Sequence, residues 1–178
     1  MSERILVTGS NGFIGAALIP LLRQAGHVVV PFDLAQGDTS RDPLNFPGVT
    51  RVLHLAAKTY VPDSWRDPFS FYQINVMGTA NVLEFCRRQA CPVTLMSSYL
   101  YGPPQRLPIS EDHPLDPNSP YNHSKALVES LGEFYAAKFN LSVTVLRPFN
   151  IYGPGQRGDF LIPAIVRQVI DPAVDTIE

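Results

Sequence analysis

The chain has 178 residues, enough for one domain with at most a fragment of a second. It is 45% hydrophobic and 17% charged, the balance of a globular protein with a buried core, and its formal net charge of -2 offers no basic surface to nucleic acid or a membrane. No apolar run is long enough to cross a bilayer, and Glu3 and Arg4 lead straight into a strand without a signal-peptide pattern, so a cytoplasmic protein is expected.

Arg4-Ile5-Leu6-Val7 is a short apolar run that reads as a buried β-strand. It meets Thr8-Gly9-Ser10-Asn11-Gly12-Phe13-Ile14-Gly15, and then Ala16 to Leu22, which reads as a helix despite Pro20. In that setting Gly9 permits a tight turn, Gly12 lets backbone approach a pyrophosphate, and Gly15 lets the helix pack on the strand. The free N–H groups around Asn11, Gly12, Phe13, Ile14 and Gly15 then face the phosphates. The spacing Gly-x-x-Gly-x-x-Gly is one residue longer in its first gap than the usual dinucleotide fingerprint, and a glycine-rich turn without a ligand is the alternative.

His27 to Asp33 reads as the second strand. Asp33 stands at its C-terminal end, about 20 residues after the glycine turn, where an acid accepts hydrogen bonds from ribose hydroxyls and repels a 2′-phosphate. NAD is therefore expected over NADP; a plain loop aspartate is the alternative. Residues 34–42 leave no room for the helix and third strand of a doubly wound fold, so this region is read as irregular, with Asp38 and Thr39 placed to flank an adenine. Arg51 to Ala57 is the next buried strand, and its small end (Leu55-Ala56-Ala57) lets backbone lie close to a cofactor. His54 has no partner nearby in sequence and reads as a packed strand histidine rather than a catalytic one.

Residues 68–89 carry helical apolar spacing in Phe71, Ile74, Val76, Val82, Leu83 and Phe85, with Asn75 interrupting the apolar face and Gly78 just beyond. Cys86 and Cys91, the two cysteines, read as reduced thiols rather than a disulfide or metal pair, and no metal site is expected. Pro92 to Met96 is a strand ending at Ser97-Ser98. The 17 prolines cluster in 103–120 and 148–172, marking long loops. Tyr121 to Phe139 reads as a helix and Leu141 to Leu146 as a strand. Strands alternating with helices imply a parallel sheet covered on both faces.

Tyr121 and Lys125 are four apart on a helix, so they share one face. A tyrosine is a poor base at neutral pH, and a nearby ammonium favours its phenolate. Tyr121 is thus placed to remove a hydroxyl proton while hydride leaves the same carbon for a nicotinamide. Ser97 lies at the C-terminal end of a strand, the edge where open α/β sheets bind ligands.

Gly9/Gly12/Gly15, Asp33, His54-Leu55-Ala56-Ala57, Asn75 with Gly78-Thr79, Ser97 before Tyr101-Gly102, Tyr121/Lys125 and Arg147-Pro148-x-Asn150-x-Tyr152-Gly153-Pro154 follow one another as they do in a known family. The chain resembles an extended short-chain dehydrogenase/reductase of the NAD-dependent epimerase/dehydratase group that works on nucleotide sugars. The resemblance runs over essentially the whole chain. It implies a Rossmann fold over 1–156, bound NAD, and the start of a small lobe over 157–178 that grips a nucleoside diphosphate sugar. It implies that Tyr121 is the catalytic base, that Lys125 is its partner and a ribose ligand, and that Ser97 hydrogen-bonds the reacting oxygen. Ser97, Ser98, Tyr99 and Asn150 fall on the substrate side; Asn75 falls at a helix bend beside the cofactor.

Two departures from the family pattern matter. Its dehydratases follow the catalytic hydroxyl residue with Asp-Glu, whereas Ser97 is followed by Ser98-Tyr99, which supply no carboxylate. Epimerisation or keto/hydroxyl redox is therefore expected over 4,6-dehydration or decarboxylation. The resemblance also implies that residues 157–178 are only the beginning of the substrate lobe, with Phe160 to Ile170 expected as its first helix. A non-catalytic NAD-binding protein of the same fold is the alternative from another class. The resemblance further implies a homodimer paired through the helices at about 71–89 and 121–139.

Overall fold

The computed structural model describes residues 2–173 and Thr176. Of the expected second lobe, 157–178, the remaining residues lie outside the described ones. Five parallel strands, β1 (Arg4–Thr8), β2 (Val28–Phe32), β3 (Arg51–His54), β4 (Val93–Met96) and β5 (Val143–Leu146), form one sheet in the order β2-β1-β3-β4-β5. β1 lies between β2 and β3 because the third strand and helix of a doubly wound fold are absent, as the short stretch after Asp33 implied: 34–50 contains no strand or helix. This irregular stretch is nonetheless packed, and Leu44 and Val49 join the core from it.

The register brings the strand ends into line. Thr8 is level with Phe32 and His54, His54 with Leu95, and Met96 with Leu146. All strands run the same way, so every loop that follows one opens at the same edge of the sheet. Helix α1 (Phe13–Gln24) leaves that edge and packs on one face, where Ile5, Val7 and Ile19 form a small apolar cluster. On the other face Leu6, Val52, Val93 and Leu95 meet Val82, Leu83 and Phe85 of α4 (Gly78–Gln89) and Val128 of α5 (Pro120–Phe139). Cover is less complete than the expected two-sided burial. Thr144 and Leu146 of β5, on the α1 side, are exposed among the described residues.

The expected helix over 68–89 is three pieces: α3 (Pro68–Phe71), a π-helical segment (Tyr72–Met77) and α4. The wider π turn carries Asn75 inward, where it is 1% exposed. A short helix α2 (Val61–Arg66), with proline in its first turn, precedes them and has no counterpart in the apolar spacing. Ser119 caps α5 by accepting the Asn122 N–H at 3.1 Å, and Pro120 fixes its first turn. The strands are shorter than their apolar runs; Leu55-Ala56-Ala57 is loop beyond β3. The helix α6 (Leu161–Ile170) buries no residue, and Leu161, Val166, Val169 and Ile170 are each more than half exposed. Cys86 and Cys91 are free and buried in the core, where a hydrogen bond to Cys91 and burial push the Cys86 thiol up. No described helix is long and apolar enough to cross a membrane.

Candidate active site

At the shared edge, the backbone itself forms a cradle. Gly9 has φ +67, and a Cβ there would lie 2.7 Å from the Ala56 nitrogen. A Cβ on Gly15 would lie 2.3 Å from the Gly9 carbonyl oxygen, and one on Gly12 3.2 Å from it. Only glycine keeps this loop tight against the 55–57 backbone. Gly12 is the N-cap of α1 and no side chain caps the helix, so its first N–H groups point out of the cradle. Asn11 N–H donates to Asp33 Oδ2 at 2.8 Å, and Leu34 N–H to Asp33 Oδ1 at 2.8 Å. Asp33 thus fixes the end of β2 against the glycine loop. Asp38 accepts from Ser40 N–H and Oγ–H at 2.8 Å each, holding a turn that presents Thr39 to α4. Thr39 is buried, with its carbonyl bonded to Asn81 Nδ2 at 2.9 Å and its Oγ1 against Gly78. A bare helix N-terminus, an acid beside it and a floor of closely packed backbone fit a dinucleotide.

The proton-transfer groups converge from β4 and α5. Tyr121 and Lys125 are buried on one face of α5. Lys125 Nζ donates to the Met96 carbonyl at 2.8 Å, among the described residues it has no carboxylate partner, and burial lowers its pKa to about 8. Burial pushes the Tyr121 phenol above its usual value, and the Ser98 side chain beside it pulls the other way. This differs from the expectation that the Lys125 ammonium lowers the phenol: the cost of a buried phenolate prevails. The charge of Lys125 acts instead on His54, which burial and Lys125 together hold near a pKa of about 3.

The two serines part company. Ser97 Oγ donates to Glu129 Oε1 at 2.5 Å, a buried carboxylate that also pairs bidentately with Arg147, at 2.9 Å to Nε and 2.6 Å to Nη2. Arg147 in turn donates to Tyr101 Oη at 3.2 Å and to the Glu111 carbonyl at 3.1 Å, and lies over the Tyr101 ring. Ser97 therefore belongs to a network that ties β4 and β5 to α5, and Ser98 is the hydroxyl at Tyr121. Sequence reasoning missed Glu129, although Tyr121, Lys125 and Glu129 repeat every four residues along one helix face. Tyr99 packs against Phe149 at a centroid distance of 4.8 Å, and Asn150 next to it is exposed. Asn75 faces no open space: it accepts Lys58 N–H at 2.8 Å and donates to Lys58 O and to Ser124 Oγ, at 3.0 and 2.9 Å. In the free chain it holds loop 55–58 to α5.

Lys125 makes stability depend on pH with a definite sign. Below pH 8 it is protonated folded and unfolded, and its burial cost is fully present; above pH 10.5 it is neutral in both. In between the unfolded chain holds more protons, so stability gains up to about 3 kcal/mol as pH rises, at roughly 1.4 kcal/mol per pKa unit. Urea unfolding of the free chain at several pH values should show this rise in wild type relative to Lys125→Met, which lacks the charge.

Residues 5–176 match the model of the NAD dependent epimerase/dehydratase family. The GDP-6-deoxy-D-mannose reductase of Pseudomonas aeruginosa PAO1 is 36% identical over 181 residues, 95% of this chain and 59% of that protein. Among solved structures, MoeE5 in complex with UDP-glucose and NAD superposes with a TM-score of 0.84 at 34% identity, covering 92% of this chain and 60% of that one. RMD from Pseudomonas aeruginosa complexed with NADPH superposes with a TM-score of 0.83 at 34% identity, covering 94% and 61%. The chain thus spans about three fifths of the length of these relatives. A Rossmann-like parallel sheet, a glycine cradle beside an acid, and a family model matched from β1 onward agree: the chain belongs to the NAD dependent epimerase/dehydratase family.

Proposed function

We propose that this chain carries the cofactor site and the proton-transfer groups of an NAD-dependent enzyme that acts on a nucleoside diphosphate sugar, as an epimerase or a related keto/hydroxyl oxidoreductase. The observation that supports it most directly is Tyr121, buried with Ser98 at its phenol, at the sheet edge where α1 opens uncapped. Gly9 to Gly15, Asp33, Thr39, Leu55 to Ala57 and Lys125 are the residues that would hold NAD; Asn75 would brace them. Bound NAD supplies the hydride acceptor and donor. Tyr121 takes the proton of the reacting hydroxyl or returns one to the keto oxygen, and Ser98 hydrogen-bonds the same oxygen. Lys125, with one of its protons on Met96 O, has donors left for ribose hydroxyls. The substrate side is Ser98, Tyr99 and Asn150, and residues 157–173 with Thr176 begin the lobe beside them. Neither Tyr99 nor Leu100, which follow Ser98, is a carboxylate, and this speaks against 4,6-dehydration.

With nucleoside diphosphate sugars and nicotinamide absorbance as the readout, Tyr121→Phe is expected to lose about 10²–10⁴-fold in turnover with NAD binding unchanged. Ser98→Ala is expected to lose less, and Ser97→Ala to act on stability through Glu129. Turnover kept by Tyr121→Phe on a substrate that wild type converts rejects the mechanism.

Asp33, held by two backbone N–H groups, opposes a 2′-phosphate, although RMD binds NADPH. Like charges about 4 Å apart cost on the order of 1–4 kcal/mol, so calorimetry should find NAD bound about tenfold or more tighter than NADP. Equal affinities remove the argument from Asp33.

We also propose a homodimer. Phe69, Tyr72, Val76, Met77 and Leu127 line an apolar groove between the π segment and α5, with Phe69 74% and Met77 53% exposed. Pairing the groove with a second copy about a two-fold axis would bury it. Sedimentation at micromolar concentration should give twice the chain mass, falling toward the monomer in Met77→Glu.

A further inference from the structure

His54 lies at the end of β3, 4% exposed, and belongs neither to the proton-transfer groups nor to the glycine cradle. Its two ring nitrogens are both engaged, Nδ1 with Thr8 Oγ1 at 2.7 Å and Nε2 with Thr79 Oγ1 at 3.1 Å. The direction of each bond follows from its neighbours. The Thr79 hydroxyl donates to the Asn75 carbonyl at 2.7 Å, and a carbonyl only accepts. Thr79 Oγ1 must therefore accept from His54 Nε2–H. The ring is neutral, so Nδ1 is bare and accepts the Thr8 hydroxyl proton. Thr8 Oγ1 is left with lone pairs, and accepts Ala56 N–H at 3.2 Å.

Both ends of this chain of bonds reach the active site. Ala56 is the residue whose backbone lies against Gly9. At the other end, the side chain of Asn75 donates to Ser124 Oγ at 2.9 Å, and Ser124 donates to the Tyr121 carbonyl at 2.7 Å. We propose that His54 is a positioning residue: with Thr8 and Thr79 it forms a buried, directional relay that fixes the glycine cradle and Ala56 relative to the helix bearing Tyr121. The relay rests on the reading of the cradle as an NAD site only for its effect on binding. Each member has one proton to give or one lone pair pointed to receive, so removing a single hydroxyl leaves a buried N–H or nitrogen unmatched. Thr79, which touches neither the cradle nor the open edge, then controls Ala56 through the imidazole.

The test cuts the relay at Thr79 and reads it at Ala56 and at the cofactor. Thr79→Val keeps the volume and removes the hydroxyl; Thr79→Ser keeps the hydroxyl. In Thr79→Val, hydrogen exchange at the Ala56 amide should quicken and NAD should bind about two- to thirtyfold more weakly, with both restored to within about twofold by Thr79→Ser. In a His54→Leu background, Thr79→Val should add nothing to either effect. Thr79→Ala cuts the relay at the same point and replaces Thr79→Val if that variant does not fold. Unchanged exchange and affinity in Thr79→Val, or an undiminished effect of Thr79→Val after His54→Leu, overturns the relay. A wild-type chain that fails to bind NAD defeats the functional reading alone, and exchange at Ala56 then decides the relay.

Discussion

Contact between two stretches of bare backbone, Gly9 on one side and Leu55-Ala56 on the other, is what the active edge is built on. The contact requires the loop after β1 and the loop after β3 to leave the sheet at the same height, which the pairing of Thr8 with His54 provides. It requires α1 to start immediately, which a glycine at Gly15 allows and a side chain would block. Its consequence is a short, rigid floor from which the N–H groups of α1 project. The deletion of a strand–helix unit between β2 and β3 leaves this floor intact, because β1 and β3 remain adjacent.

The catalytic helix is secured differently, by charge. Glu129 is a buried carboxylate that receives Ser97 and two guanidinium nitrogens of Arg147. Fully paired, such a carboxylate contributes little net stability, but removing one partner leaves a buried ion at a cost of about 3–5 kcal/mol. The pairing thereby makes one placement of α5 against β4 and β5 far better than any other. Lys125, one turn toward the open edge, is the opposite case: a buried cation with only a carbonyl for company. Its poor solvation in the free chain is the counterpart of its capacity to bind hydroxyls that arrive later.

The order of strands and helices was legible from apolar runs and punctuating glycines, as was the missing unit after Asp33, since 34–50 is too short to hold it. The cradle was legible because Gly9, Gly12 and Gly15 have positional meaning. What the linear pattern concealed depends on direction and surroundings. Ser97 and Ser98 are chemically alike and adjacent, but successive side chains at a strand end point differently, so which one meets Tyr121 is decided in three dimensions. The π turn at 72–77 keeps helical spacing on either side and inserts its extra width without a marker other than Asn75. The phenol of Tyr121 responds to burial more than to the lysine four residues away, and no spacing reports burial.

The strand order has a consequence for how the molecule meets its neighbours. Among the described residues no strand lies beyond β2, so it is a sheet edge, and within it stands Pro31, which has no amide proton. Another polypeptide laid along β2 finds a broken row of donors. β5, at the opposite edge, is Val143-Thr144-Val145-Leu146, an unbroken and mostly β-branched stretch with every amide available for pairing along one side or the other. Of the two margins of the sheet, β5 offers the complete row of donors and acceptors to an added strand.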